Sequence, residues 1–196
     1  MAFRAAKRLV RLAGHLDGGI EDIRNAMLIK FAKHANRPPT MNCVRGDGTA
    51  TWFTASAANA DYFISHDLLH YAVEAILGYT TAFYGLVAAG RDLNDFGSTE
   101  GVKDERSSSP EAMDAECLVD LVQALSADGS TPSYQAVAAA WADAVEPHSS
   151  STPPVTEAQL TEICTVWGKL VRRWQTIEVN GALELSFPKP AALTTV

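Results

Sequence analysis

The segment SHDLLHYAVE, residues 65–74, places two histidines and two carboxylates within an otherwise apolar, helix-like stretch. At about 100° per residue, His66 and His70 lie one turn apart on the same helix face, so both imidazoles could bind one metal ion. Histidines at this spacing hold zinc in the H-E-x-x-H helices of metalloproteases. The segment therefore predicts a divalent metal site, with zinc preferred and iron as the alternative.

Two carboxylates lie beside the histidines and are the candidate catalytic residues. Asp67 takes the place of the glutamate in H-E-x-x-H, and its shorter side chain reaches less far towards a metal-bound water. Asp67 could act on that water or bind the metal itself. Glu74 lies about 12 Å beyond His66 along the helix axis, so we expect it to orient His70 or to hold water or a second ion.

A further metal ligand should come from a second helix, as it does in the metal sites of helical bundles. Glu116 is the best candidate, because it directly precedes Cys117, which we expect to be buried in a helix packed nearby. Asp92 and Asp95 belong to a polar loop that could fold over the site, and they are less specific alternatives. The predicted metal ligands are therefore His66, Asp67, His70 and Glu116.

Each of these residues also has a structural explanation. A carboxylate such as Asp67 near the start of a helix is stabilised by the helix dipole, and His70 could be a core histidine with a satisfied hydrogen bond. A buried stripe of histidines and carboxylates is costly, however, unless its members bind one another or a metal. A metal-free core network is therefore the alternative to a metal site.

Several runs resemble known sequences. CVRGDGTATW (43–52), HDLLHYAVEAILG (66–78) and AFYGLVAAG (82–90) resemble a group of uncharacterised small bacterial proteins, over about residues 27–96, and this resemblance implies no activity. The HDLLH residues are also similar to the H-D-x-x-H zinc motif of a ubiquinone-biosynthesis family, in which a glutamate follows after eleven further residues. Ala82 stands at that position here, so the likeness implies metal binding by the histidines and Asp67 alone.

The strands that could support the site follow from alternating apolar residues and turn signals. We expect a strand at 27–34, a hairpin over 40–54 around Gly46-Asp47-Gly48, and a strand at ALELSF near the C-terminus. These strands could pair in one small antiparallel sheet. With the helices they predict a helix-rich α+β fold, in a single domain over 26–196 preceded by a basic helical extension, 1–25.

The helices follow from apolar residues spaced three and four apart and from their capping residues. The predicted ranges are 66–77, 79–89, 111–126, 132–145 and 156–176. Ser65 is the expected N-cap of the first, which would place Asp67 in its first turn. A four-residue repeat in the third predicts one buried stripe, Met113, Cys117, Leu121 and Leu125. The last helix has a common apolar face, Leu160, Ile163, Trp167, Leu170 and Trp174.

The charge of the 196-residue chain is unevenly distributed. Residues 1–37 carry eight Lys and Arg against three Asp and Glu, whereas the remainder is strongly acidic. An acidic body argues against nucleic-acid binding. The three cysteines are far apart in sequence and form no CxxC pair, so we expect neither a disulfide framework nor a thiolate zinc site.

The basic N-terminal segment carries Arg4, Lys7, Arg8 and Arg11 on one expected helix face. Such a face could contact a membrane surface or a partner, although simple solvation explains it as well. Arg8 and Arg11 interrupt the apolar stretch that a signal peptide needs, and no apolar run reaches the roughly 20 residues of a membrane span. We therefore expect a cytoplasmic protein.

These patterns together favour a metal-binding protein, and within that class a metal-dependent enzyme of the hydrolase type. A small molecule would be its substrate, because the segment lacks the glutamate of the peptide-cleaving zinc enzymes. The alternative is a non-enzymatic binding protein or a structural metal domain. A catalytic site keeps one coordination position open and a structural site closes it, which separates these functions. The sequence leaves the oligomeric state open.

Overall fold

The computed structural model describes residues 26–56, 58, 60–96, 109–144 and 152–187. Four strands form one antiparallel sheet in the order β3-β2-β1-β4. Their bounds are β1 (Met27–Ala32), β2 (Thr40–Val44), β3 (Ala50–Thr54) and β4 (Ala182–Phe187). The predicted sheet is therefore confirmed, although β1 ends two residues before the expected boundary.

One face of the sheet is apolar because alternate residues of each strand point to the same side. Ile29 of β1 lies opposite Cys43 of β2 and Leu185 of β4, and all three side chains are buried. The hairpin turn between β2 and β3 is closed by a hydrogen bond from the Gly48 amide to the Arg45 carbonyl, with Gly48 at a φ of 86°.

Helices and one short 3-10 turn complete the described part of the chain. Their bounds are α1 (Ala60–Leu77), α2 (Phe83–Ala88), the 3-10 turn (Leu93–Phe96), α3 (Pro110–Leu125), α4 (Tyr134–Ala144) and α5 (Glu157–Thr176). The predicted α+β, helix-rich class is confirmed. The α2 helix is shorter than the predicted 79–89, and α4 is shorter than 132–145. The predicted extension over 1–25 lies outside the described residues.

Helix α1 lies between two apolar clusters. On one face, Ile64 and Leu68 pack with the buried side chains of the sheet and with α5. On another face, Leu69 and Val73 pack in a second cluster with residues of α3, α4 and α5. Burial of an aliphatic side chain contributes roughly 1.5–3 kcal/mol. The stability of α1, and with it the position of its histidines, therefore comes from packing on two sides.

The predicted start of this helix at residue 66 is wrong. Helix α1 begins at Ala60, and Ser65 lies within it rather than at its N-cap. The Ser65 carbonyl accepts a hydrogen bond from Trp167 Nε1 at 2.9 Å. Burial of Ile64 one turn before Leu68 outweighs the preference of serine for a cap. Asp67 is therefore not in the first turn, and the helix dipole does not account for it.

The predicted buried stripe of α3 is wrong at Met113, whereas Cys117, Leu121 and Leu125 are half-buried and pack at the edge of the second cluster. Met113 is 54% exposed and Cys117 is only partly buried. The buried residues of α3 are Ala112, Ala115, Leu118, Val119 and Val122. A strict four-residue step turns by about 40° around a helix at each repeat, so it leaves the buried face, whereas mixed steps of three and four stay on it.

Neither α3 nor any other helix in the described part of the chain is long and apolar enough to cross a membrane.

The orientation of α3 can be tested with a pair of truncations. Leu118→Ala should lower the free energy of unfolding by about 2–5 kcal/mol, because it leaves a cavity in the core. Met113→Ala should lower it by less than about 1 kcal/mol, because the methionine side chain is mostly in solvent. Urea denaturation of both variants measures the difference. Similar losses would contradict the observed face and favour the four-residue stripe.

Candidate metal centre

Two histidines of α1 and one glutamate of α3 converge. The rings of His66 and His70 have centroids 4.7 Å apart, as the one-turn spacing predicts. Glu116 reaches them from α3, with its Oε2 3.5 Å from His70 Nε2. One ligand atom from each of the three side chains lies within 4.8 Å of the other two. The structure therefore brings together three of the four predicted ligands.

Helix α3 is held in place by the loop between α1 and α2. Glu111 Oε2 accepts hydrogen bonds from the Thr80 amide at 2.7 Å, and from the amide and the hydroxyl of Thr81 at 2.6 Å and 2.8 Å. The Ser109 hydroxyl, which caps α3 by accepting from the Ala112 amide, donates to the Thr81 carbonyl. These bonds fix the first turn of α3, and so the position from which Glu116 reaches α1.

Glu74 lies behind His70 and is completely buried. Its Oε2 accepts hydrogen bonds from the Tyr84 amide at 2.8 Å and the Gly85 amide at 3.2 Å. Its Oε1 faces His70 Nδ1 at 3.7 Å, and neither atom has a hydrogen-bond partner among the described residues. A slight approach would make this contact the carboxylate–histidine pair that directs the other ring nitrogen towards a metal.

The charges of this cluster are strongly coupled. Burial lowers the pKa of His70, but the carboxylates of Glu116 and Glu74 outweigh burial and raise it to about 9. Burial raises the pKa of Glu74, and this effect exceeds the lowering by His70 and by the backbone amides. The pKa of Glu116 is lowered by its hydrogen bond with His70. In the metal-free protein, the two glutamates on either side of His70 therefore favour its protonated form.

The donor set fits a metal site with three protein ligands. Two imidazoles and one carboxylate suit zinc, and they also match the ligands of non-haem iron. Around a tetrahedral zinc, ligand atoms are about 3.4 Å apart, close to the separation of His70 Nε2 and Glu116 Oε2. The three ligand atoms lie up to 4.8 Å apart, and small side-chain rotations would bring all of them close enough to bind one ion. The Glu116 side chain is 60% exposed, so the cluster is open to solvent on that side.

The other predicted site residues have different positions. Asp67 lies beside the cluster, with Oδ1 3.8 Å from His66 Nδ1, and it is not among the three residues whose ligand atoms converge. Asp92 accepts hydrogen bonds from the backbone and side-chain nitrogens of Asn94. Asp95 is likewise not part of the cluster. The catalytic roles predicted for Asp67 and Glu74 stay predictions.

Sequence reasoning missed two residues that support the site, Gly85 and Glu111. A Cβ atom at Gly85 would collide with the backbone of Thr80, so glycine is needed where α2 approaches the preceding loop. The run Tyr79–Gly85 offers no periodic signal for that approach. Glu111, an acidic residue directly after Pro110, is typical of a first helical turn, and nothing local indicates Thr80 and Thr81 as its partners.

Comparison of the chain with protein-family models gave no match, and comparisons with curated proteins and with solved structures gave none either. The resemblances inferred from the sequence motifs therefore stay predictions.

The close approach at Gly85 can be tested by adding one methyl group. Gly85→Ala should lower the free energy of unfolding by about 1–3 kcal/mol. The Thr80 backbone must move, and the hydrogen bond from the Gly85 amide to Glu74 Oε2 is disturbed. Gly168→Ala in α5 is the matched control, since the nearest atom to its added Cβ is the flexible end of Arg172. That variant should gain up to about 1 kcal/mol from helix propensity. A neutral effect at Gly85 would contradict the clash.

The charge of His70 predicts how the stability of the metal-free protein depends on pH. The pKa of His70 is about 9 when folded against an ordinary 6.5, so its proton stabilises the fold. This contribution is fully present below pH 6.5 and is lost as the pH rises through about 9. Urea unfolding of chelator-treated protein across this range measures it. His70→Asn cannot take up the proton, so an equally steep fall in that variant would contradict the assignment.

Proposed function

We propose that this protein binds one divalent metal ion through His66, His70 and Glu116 and uses it as an enzyme of the hydrolase type. The observation that carries the proposal is the convergence of three ligand atoms within 4.8 Å of one another. Two of these residues come from α1 and the third from α3, so the cluster is formed by the packing of two helices and not by one local segment. Three protein ligands leave a coordination position for water or substrate, as in catalytic zinc sites.

The residues around the cluster would have distinct roles. A bound divalent ion would supply Lewis acidity and a water that ionises near neutral pH. Glu74 would act as a positioning residue, because one oxygen is fixed by two amides and the other faces His70 Nδ1. Asp67 is the candidate proton acceptor, since its partly exposed carboxylate lies next to His66 without belonging to the converging set.

A groove next to Glu116 is large enough for a small substrate. Its volume is about 460 Å³, and its walls are formed mainly by apolar residues of α3 and α4, with two acidic residues, Glu116 and Asp120. Pockets for small molecules typically have volumes of roughly 300–1,000 Å³ and mostly apolar walls. The groove supports a small, largely apolar substrate whose reacting group would meet the cluster at the Glu116 side.

Zinc is the preferred ion of this proposal, because hydrolysis is the usual chemistry of a site with histidine and carboxylate ligands and an open position. Iron is the alternative, since two histidines and one carboxylate also form the iron site of oxygen-dependent enzymes. Measuring which metal accompanies the protein separates the two.

A metal-free ion-pair network is the second candidate role of the cluster. The position of His70 between two carboxylates, with a pKa of about 9, supports this role without any ion. In that case the cluster would serve the fold and the function would lie elsewhere. Metal analysis distinguishes the two roles.

The first experiment is elemental analysis of tag-free protein and of single variants. The wild type should carry about one equivalent of zinc or iron, and His66→Ala, His70→Ala and Glu116→Gln should each weaken binding at least about tenfold. His34→Ala is the matched control, because that histidine bonds Thr40 at the sheet and lies outside the cluster. Asp67→Asn should keep the metal if Asp67 is no ligand.

Circular dichroism of each variant separates loss of metal from loss of fold. No metal in the wild type, and none taken up on titration with zinc, iron or manganese, would overturn the metal site and leave the ion-pair network. Equal loss in the His34 variant would point to adventitious binding at surface histidines. Metal lost in the Asp67 variant would make that residue a fourth ligand and favour a closed, structural site.

A further inference from the structure

A second cavity, separate from the metal cluster, opens between α5 and the loop that joins α3 to α4. Its volume is about 640 Å³, within the range of small-molecule sites. Residues Gly129, Ser130 and Thr131 form the loop side, and Thr161, Trp167 and Arg172 are among those that α5 contributes. No residue of the metal cluster lines this cavity.

The charge of the cavity is opposite to that of the protein. Arg172 is the only charged residue among the described residues that line it, and the rest are hydroxyl-bearing, small or apolar. The chain as a whole carries a formal charge of −7. A cavity with one cation and no carboxylate in an acidic protein offers a local site for a negative charge, which the surrounding surface would repel.

The guanidinium of Arg172 has no hydrogen bond or ion pair with any described residue. Its helical neighbours at three and four positions, Gly168, Lys169, Gln175 and Thr176, carry no negative charge that could pair with it. Arg45 differs, because it donates to the carbonyls of Val87 and Arg91 and is used by the fold. Within the part of the chain that the structure describes, the donors of Arg172 are therefore available to a ligand.

The walls of the cavity also favour particular features of that ligand. Trp167 and Val171 of α5 line the same cavity as Arg172 and provide apolar surface there. The hydroxyls of Ser130, Thr131 and Thr161 provide donors and acceptors around them. Guanidinium groups bind carboxylates and phosphates in a two-pronged geometry that ammonium groups cannot match.

We propose that this cavity binds a small organic anion, with its carboxylate or phosphate on Arg172 and its apolar or flat body against Trp167. The inference is independent of the metal site, because it rests on different residues. Trp167 nevertheless connects the two regions, since its Nε1 donates to the carbonyl of Ser65, the residue before His66.

The test compares three ligands of the same shape and different charge. Benzoate and phenyl phosphate are the anionic probes, and benzamide is the neutral one. Each is titrated into the ¹⁵N-labelled full chain, and the indole N–H signal of Trp167, assigned by its absence in Trp167→Phe, reports binding. We expect both anions, or one of them, to bind at least about tenfold more tightly than benzamide, as a charged hydrogen bond implies.

Two neighbouring arginines provide the matched variants. Arg172→Gln should weaken binding of the anion by about tenfold or more, because it removes the charge from the cavity. Arg173→Gln removes the same charge from the same helix at a position that does not line the cavity, so it should change the affinity by less than about twofold. Both side chains are exposed, so neither change should affect folding.

The outcomes separate clearly. Preference for benzoate identifies a carboxylate ligand, and preference for phenyl phosphate identifies a phosphate ligand. Equal binding of benzamide would overturn the proposal, because the cavity would then not select for charge. Equal weakening in both arginine variants would overturn it as well, since it would show only attraction to the surface. The absence of any shift at the Trp167 indole with all three probes would overturn the cavity as a ligand site.

Discussion

The buried carboxylate of Glu74 is the constraint on which the arrangement around the cluster depends. A charge without partners in the interior costs several kcal/mol, so the chain must bring donors to it. The amides of Tyr84 and Gly85 supply two of them, and His70 faces the remaining oxygen. The path of the loop after α1, the start of α2 and the orientation of His70 are therefore consequences of one acidic side chain.

The loop between α1 and α2 also positions a second helix, α3. Thr80 and Thr81, which lie between α1 and α2, donate to Glu111 and so fix the first turn of α3. Glu116 follows a little more than one turn later and reaches the histidines. The apolar contacts between α1 and α3 set the distance between the helices, and these hydrogen bonds set their register. The cluster thus depends on polar contacts that are remote from any ligand atom.

Much of the fold could be predicted from the sequence because its signals are local. Alternation in β1 and β4 and the Gly48 turn act within a few residues, and the structure has them. The start of α1 could not be predicted, because burial of Ile64 against a distant sheet overrides the cap signal at Ser65. The buried face of α3 differs from the four-residue repeat of apolar residues, because that repeat rotates around the helix axis.

The candidate site could likewise be predicted only in part. The spacing of His66 and His70 along one helix is a property of the sequence, and it is kept in the structure. Glu116 is expected near the histidines because its neighbour Cys117 is expected to be buried. Cys117 is only half-buried, so the structure brings Glu116 to His70 without that reason. Gly85 acts through the close approach of its backbone to Thr80, and Glu111 acts through the amides of Thr80 and Thr81, which lie far from it in the chain. No pattern of residue types carries that information.

Helix α1 contributes side chains to both apolar clusters, which gives the molecule one cooperative unit rather than two. Neither cluster can open fully while α1 stays folded, and α1 cannot unfold without exposing both. Amide protons in its central turns should therefore exchange with solvent only when the whole structure opens. The histidines are thus attached to the part of the chain that opens last, whereas Glu116, on the exposed side of a neighbouring helix, can adjust without disturbing them.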